Sequence, residues 1–133
     1  MFTDKVNLQK AVVFHPDGVR FLTLKRANTD PVRPATWDLP GGNVDYGERH
    51  DYAILREIRE ETGLEVSRLE ASQVVTHCEA GQPYWLFIGH TCYALRDEVT
   101  LSREHSGFYW TEARGFLTLS SAPFLQNFVQ ARL

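Results

Sequence analysis

The chain has little cysteine, no long apolar run and no surplus of positive charge, and each shortage narrows its chemistry. Its 133 residues include two cysteines, Cys78 and Cys92, without a C-x-x-C pairing. Neither a disulfide framework nor a zinc ribbon is therefore expected. Both are read as reduced, half-buried strand residues of a cytoplasmic protein. No uninterrupted apolar stretch nears the roughly 20 residues that span a bilayer. The opening Met1-Phe2-Thr3-Asp4-Lys5 is too polar for a secretory leader, so no membrane partner is expected. Basic residues number 14 against 17 acidic ones, a net charge of −3. No basic stripe is present, which argues against a nucleic-acid polymer as partner. Internal repeats and Ser/Gly-rich linkers are also missing, and residues 1–133 read as one domain.

What is present is unevenly spread. Between Gly42 and Leu64 stand six acids (Asp45, Glu48, Asp51, Glu57, Glu60, Glu61) and three bases (Arg49, Arg56, Arg59). The rest of the chain is neutral, so the whole excess lies in one segment. A local acidic cluster suggests a bound cation, with a solvated helix face as the alternative.

Leu8–Phe14 and Val19–Lys25 read as a hairpin around the turn signal His15-Pro16-Asp17-Gly18. Ala27–Pro34 reads as a surface loop, and Trp37–Gly42 as a short strand ending in a tight turn. A helix is expected over Glu48–Thr62, with Gly63 at its C′ position. Strands follow at Leu64–Val75, interrupted near Ser67–Glu70, at Tyr84–Leu95 and at Phe108–Thr111. A terminal helix over Ser121–Arg132 would carry Pro123 in its first turn. The expected class is α/β or α+β, a mixed β-sheet between helices.

The helix orders its acids. With Glu57 at zero, Glu60 falls at about 300° and Glu61 at about 40° around the axis. Ile54, Ile58 and Leu55, at about 60°, 100° and 160°, form an adjoining core stripe. Like charges at i,i+3 and i,i+4 cost about 0.2–0.5 kcal/mol per pair, and so late in a helix the macrodipole gives them no support. Arg56, four residues before Glu60, offsets part of this. Helix stability does not call for three such acids; a hard divalent cation does. Mg²⁺ is commonly held by one or two carboxylates plus substrate phosphates.

Gly42, Glu48 and the run Arg56-Glu57-Ile58-Arg59-Glu60-Glu61-Thr62-Gly63-Leu64 satisfy G-x5-E-x7-R-E-U-x-E-E-x-G-U, with U a bulky aliphatic. This segment, residues 42–64, resembles the Nudix box at all nine specified positions, and Trp37–Gly42 resembles the strand and Pro-Gly-Gly turn that precede it. The resemblance is to the small, MutT-like members of the Nudix hydrolase family. It implies the Nudix fold and Mg²⁺-dependent hydrolysis of a nucleoside diphosphate linked to another moiety, with Mn²⁺ as a substitute.

Carried over residue by residue, the resemblance makes Glu57, Glu60 and Glu61 metal-binding carboxylates, joined by the Gly41 carbonyl and by an acid from a late loop. Glu104 is the candidate for that acid. Glu57 is the favoured general base, with Glu104 in reserve. Arg56 and Glu48 would orient the acids, Gly42 would allow the turn beneath the helix, and Gly63 would end it. Lys25 and Arg26 are candidate phosphate contacts, and Tyr84, Trp37, Trp85 and Phe87 offer a base-stacking platform. The substrate expected is a (deoxy)nucleoside triphosphate or a similar small nucleotide. The alternatives are a nucleotide-sugar or ADP-ribose pyrophosphatase and a nucleotide sensor that does not cleave. A homodimer stays open.

Overall fold

A computed structural model describes residues 5–77 and 79–132; Cys78, read above as a strand cysteine, lies outside them. Ten elements follow one another along the chain. They are β1 (Lys5–Phe14), β2 (Phe21–Arg26), β3 (Trp37–Asp38), β4 (Gly41–Asn43), α1 (His50–Thr62), β5 (Val66–His77), β6 (Tyr84–Ala94), β7 (His105–Thr111), α2 (Ala113–Phe116) and α3 (Pro123–Gln130).

Among the described residues the strands form one mixed sheet in the order β3-β2-β1-β6-β5, with β4 also pairing β1 and β7 pairing β2. β1 runs parallel to β6 along its whole length, from Lys5 opposite Tyr84 to Phe14 opposite Tyr93. A parallel pair needs a long crossover, and the segment containing α1 and β5 supplies it.

The alternation of side chains along β1 divides the core. Ala11 and Val13 pack with Leu22, Leu24, Cys92 and the α1 residues Ile54 and Ile58. Val12 packs on the other side with Phe87 and with Phe116, Leu125, Phe128 and Val129 of α2 and α3. The sheet therefore lies between α1 on one face and α2 and α3 on the other, as the composition of alternating strands and helices suggested.

The expected first hairpin is mostly absent. The turn forms, with Gly18 at φ 75° and the His15 N–H donating to the Arg20 carbonyl at 2.7 Å. Yet β1 and β2 pair at only one position, Phe14 opposite Phe21. The strands diverge because β4 and the Pro40 carbonyl, which accepts from the Ala11 N–H, take the edge of β1 that β2 would have filled, while β3 takes the facing edge of β2. α1 begins at His50 rather than Glu48, because Glu48 closes a separate turn through its N–H to the Asp45 carbonyl at 3.0 Å. β5 starts at Val66, and its register shifts at Ser67/Glu70 where the interruption was expected. β7 starts three residues early and α2 was not anticipated. Cys92 is fully buried rather than half-buried, and burial pushes its thiol up to about 12, which makes it a poor nucleophile.

Candidate active site

The approach to α1 is built on glycine. Gly41 sits opposite Lys10 in the sheet register at φ 141°, and a Cβ there would lie 2.1 Å from the Gln9 carbonyl oxygen. Only a residue without a side chain lets β4 seat against β1 at this point. The Gly41 N–H then reaches Glu61 Oε1 at 3.3 Å. A Cβ on Gly42 would stand 3.1 Å from the Glu57 carboxyl carbon, so the same turn holds two carboxylates of α1 close to backbone.

α1 ends as expected: Gly63, at φ 73°, donates its N–H to the Arg59 carbonyl at 2.9 Å. The buried side of the helix, however, comprises Ala53, Ile54, Ile58, Glu61 and Thr62, whereas Leu55 is only half-buried. The core stripe is therefore turned toward the acids, and Glu61 stands within it at 3% exposure. Burial pushes the Glu61 carboxyl well above the ordinary carboxylate range; Lys10 partly offsets this, and the neighbouring Glu57 adds to it. A carboxylate buried beside another carboxylate weakens the apo fold.

Arg56 gathers the remaining acids. Its guanidinium donates to Glu48 at 2.7 and 3.0 Å and to Glu60 at 3.1 Å, and it lies 3.3 Å from Glu57 and 3.5 Å from Asp45. The bond to Glu48 is the main reason that Arg56 is held more firmly protonated than usual, and in return it lowers the Glu48 carboxyl. Glu60 is thus drawn toward Arg56 and solvent, while Glu57 and Glu61 remain together at the glycine turn.

A cavity of about 550 Å³ opens beside that turn, lined by Gly41, Gly42, Glu61, Lys10, Arg26, Asp38, Arg103, Glu104 and His105 among others. It brings Glu104, an exposed residue, into the same space as Glu61. His105 is buried there, its Nδ1 without a hydrogen-bond partner among the described residues, and burial lowers its basicity. A second cavity of about 870 Å³ is walled by Trp37, Trp85, Pro123 and Phe124, with Arg33 and His77 at its edges. Leu8, Lys10, Arg26 and Asp38 line both, so the two spaces adjoin.

Two residues at this junction escaped the sequence reading. Lys10 donates to Asp38 Oδ2 at 3.0 Å, and both are buried. Asp38 also accepts from Arg26 Nη1 at 3.0 Å and from the Leu39 N–H at 2.8 Å. The available signal was a lysine within the expected strand Leu8–Phe14, directly before the apolar run Ala11-Val12-Val13-Phe14.

Arg26 reaches both cavities, but Asp30 at 2.8 Å and Asp38 engage its guanidinium. Lys25 lies outside both, with Nζ 6.0 Å over the Trp37 ring. Tyr84 opens β6 at the surface, and its neighbours Pro83 and Trp85 line the larger cavity instead. Of the expected stacking residues, Phe87 is core, against Phe124 and Phe128.

Among the described residues no three His, Cys, Asp or Glu side chains are gathered into a ready cation site. The donor chemistry nonetheless fits a hard divalent ion. Glu57 and Glu61 are neighbouring carboxylates that could serve as oxygen ligands, and Mg²⁺ needs only one or two carboxylates when phosphate supplies the rest.

The NUDIX domain family model matches residues 9–128. The chain is 28% identical over 102 residues to the nucleoside triphosphatase NudI of Escherichia coli, covering 69% of this chain and 72% of that protein. Among solved structures, the MutT protein of Methanosarcina mazei superposes with TM-score 0.77 at 25% identity, covering 98% of this chain and 94% of that one. The NUDIX domain of Shewanella oneidensis NrtR, solved with ADP ribose, gives 0.78 at 22% identity over 98% of this chain and 88% of that one, a likeness of fold. With the intact box on α1, its glycine turn and a family match across most of its length, the chain belongs to the Nudix hydrolase family.

Proposed function

We propose that the chain is a Mg²⁺-dependent pyrophosphohydrolase of a (deoxy)nucleoside triphosphate or a related small nucleotide, acting in the cytoplasm, with Mn²⁺ able to substitute. The observation that carries this reading is the pair of adjoining cavities. One is lined by Glu61, Glu104 and the glycine turn, the other by Trp37, Trp85 and Phe124. The first suits phosphates and a cation, the second a nucleobase. The name of the relative NudI, a nucleoside triphosphatase, supports the substrate class.

Glu57 and Glu61 would hold the cation, with Glu60 and Glu104 available to join them and the Gly41 carbonyl beside them. When bound, the ion supplies Lewis acidity to the phosphoryl oxygens and to the attacking water. The water oxygen forms a bond to phosphorus, its proton passes to the Glu57 carboxylate, and the bridging P–O bond breaks with its electrons leaving on the departing phosphate. Glu104 is the reserve acceptor of that proton. Arg56 acts through Glu57, Glu60 and Glu48, holding their carboxylates in place.

The test is phosphate and pyrophosphate release from a panel of nucleoside di- and triphosphates, nucleotide sugars and ADP-ribose, with Mg²⁺ and with EDTA. Glu57→Gln and Glu61→Gln are each expected to lose about 10²–10⁴-fold in turnover while staying folded. Wild type and both variants turning over at equal rates would end the proposal.

A further inference from the structure

Where the two cavities meet, one buried cation is left with hydrogen bonds to give. Lys10 is 6% exposed and, among the described residues, Asp38 is the one hydrogen-bond partner of its Nζ. An ammonium has three N–H bonds, so two remain. Its neighbours are already committed. Asp38 Oδ2 accepts from both Lys10 and Arg26, and Oδ1 accepts from the Leu39 amide. Arg26 gives Nε and Nη2 to Asp30 and one Nη1 N–H to Asp38, and its side chain, 27% exposed, can turn its other N–H bonds to water. Lys10 is thus the buried cation at the junction with unspent donors, and buried donors are matched to acceptors in functioning sites.

We propose that Lys10 is a specificity-determining residue, whose free N–H bonds read an exocyclic carbonyl oxygen of the base, so that oxo bases are taken in preference to amino bases. This rests on the reading that the cavity of Trp37, Trp85 and Phe124 receives the base. A neutral acceptor suits the place better than a phosphate oxygen. Asp38, at 3.0 Å, already takes up the positive charge of Lys10, so a further anion gains little, whereas the direction of the N–H bonds is fixed by the Asp38 contact. A carbonyl oxygen accepts from them. An amino group would set N–H against N–H and leave the ammonium donors unmatched, a mismatch for which polar sites discriminate strongly.

Equilibrium binding of nucleoside monophosphates without metal tests this apart from hydrolysis. The pairs are dUMP against dCMP and dIMP against dAMP; in each an oxo group replaces an amino group and the adjoining ring nitrogen changes from an acceptor to an N–H. Wild type is expected to bind the oxo member of each pair about 10–100-fold more tightly, the range of one charge-assisted hydrogen bond. Lys10→Met should abolish the preference; Arg26 still engages Asp38 there, and circular dichroism checks the fold. Lys10→Gln puts in an amide with both a donor and an acceptor, so affinity for the amino member should rise and the ratio fall below about threefold.

No preference in wild type, a preference kept by both variants, or no binding of any of the four would overturn the proposal. An equal loss for all four in Lys10→Met would overturn it too, since that is the signature of a phosphate contact. Oxo preference without hydrolysis of any triphosphate would instead count against the proposed catalysis and leave the base reading standing.

Discussion

Replacing Glu61 by Gln should inactivate the protein and at the same time make its metal-free form more stable. Glu61 is 3% exposed, its carboxyl accepts the Gly41 N–H at 3.3 Å, and Glu57 lies beside it. A glutamine keeps the carbonyl oxygen for Gly41 and offers an N–H to Glu57 in place of a second negative charge. Wild-type Glu61 must either keep its charge beside Glu57, where two unit charges about 4 Å apart repel by about 4 kcal/mol at an effective dielectric constant of 20, or take up a proton well above its ordinary range. Lys10 and structural relaxation cancel much of that, so a net gain of about 1–2 kcal/mol is expected. For a chain of this size the unfolding entropy makes each kcal/mol worth about 3–4 °C in Tm. Thermal unfolding in EDTA should therefore show Glu61→Gln melting about 4–7 °C above wild type. With Mg²⁺ at a hundred times its Kd, wild type should gain about 2.7 kcal/mol, and the variant far less. A variant that melts below wild type in EDTA, or that gains as much from Mg²⁺, would show that Glu61 is an ordinary structural carboxylate.

Two stability predictions concern groups outside the candidate site. His90, 1% exposed and bonded to Gln9 at 2.6 Å, has its pKa lowered by burial from 6.5 to about 4. Above pH 6.5 it is neutral whether folded or unfolded; as the pH falls toward 4 the unfolded chain binds a proton that the folded one excludes, so stability is lost across that window. By pH 5 the loss is about 2 kcal/mol. Urea midpoints at pH 7.5 and 5.0 should show it in wild type and not in His90→Gln; an equal slope in the two would refute the assignment. The second concerns Gly89 of β6, where a Cβ would stand 2.5 Å from the Phe128 ring. Gly89→Ala should cost about 1–3 kcal/mol through overpacking, and Phe128→Leu in the same chain should recover part of it, as a double-mutant cycle would reveal.

What could be read in the amino-acid order was what is local. Glu57, Glu60 and Glu61 recur at helical spacing, Arg56 stands four residues before Glu60, and Gly63 follows the last helical turn, so α1, its 3.1 Å ion pair and its left-handed cap were all visible. The burial of Glu61 was not visible, because it is set by which strand covers the helix. Gly41 and β4 fold over that side of α1, and the apolar residues of the helix do not encode their arrival. The shortening of the first hairpin has the same cause. A turn signal between two apolar runs predicts that they pair along their length, but β4 fills that edge of β1, with Asn43 opposite Leu8, a pairing beyond the reach of any local pattern. Lys10 and Asp38, separated by 28 residues, meet only once β4 has been placed beside β1 and β3 beside β2. The acids that define the family chemistry are carried on one helix and can be recognised there. The residues proposed to choose the substrate, Lys10, Trp37, Trp85 and Phe124, come from three strands and α3, and their relation exists only in the assembled fold.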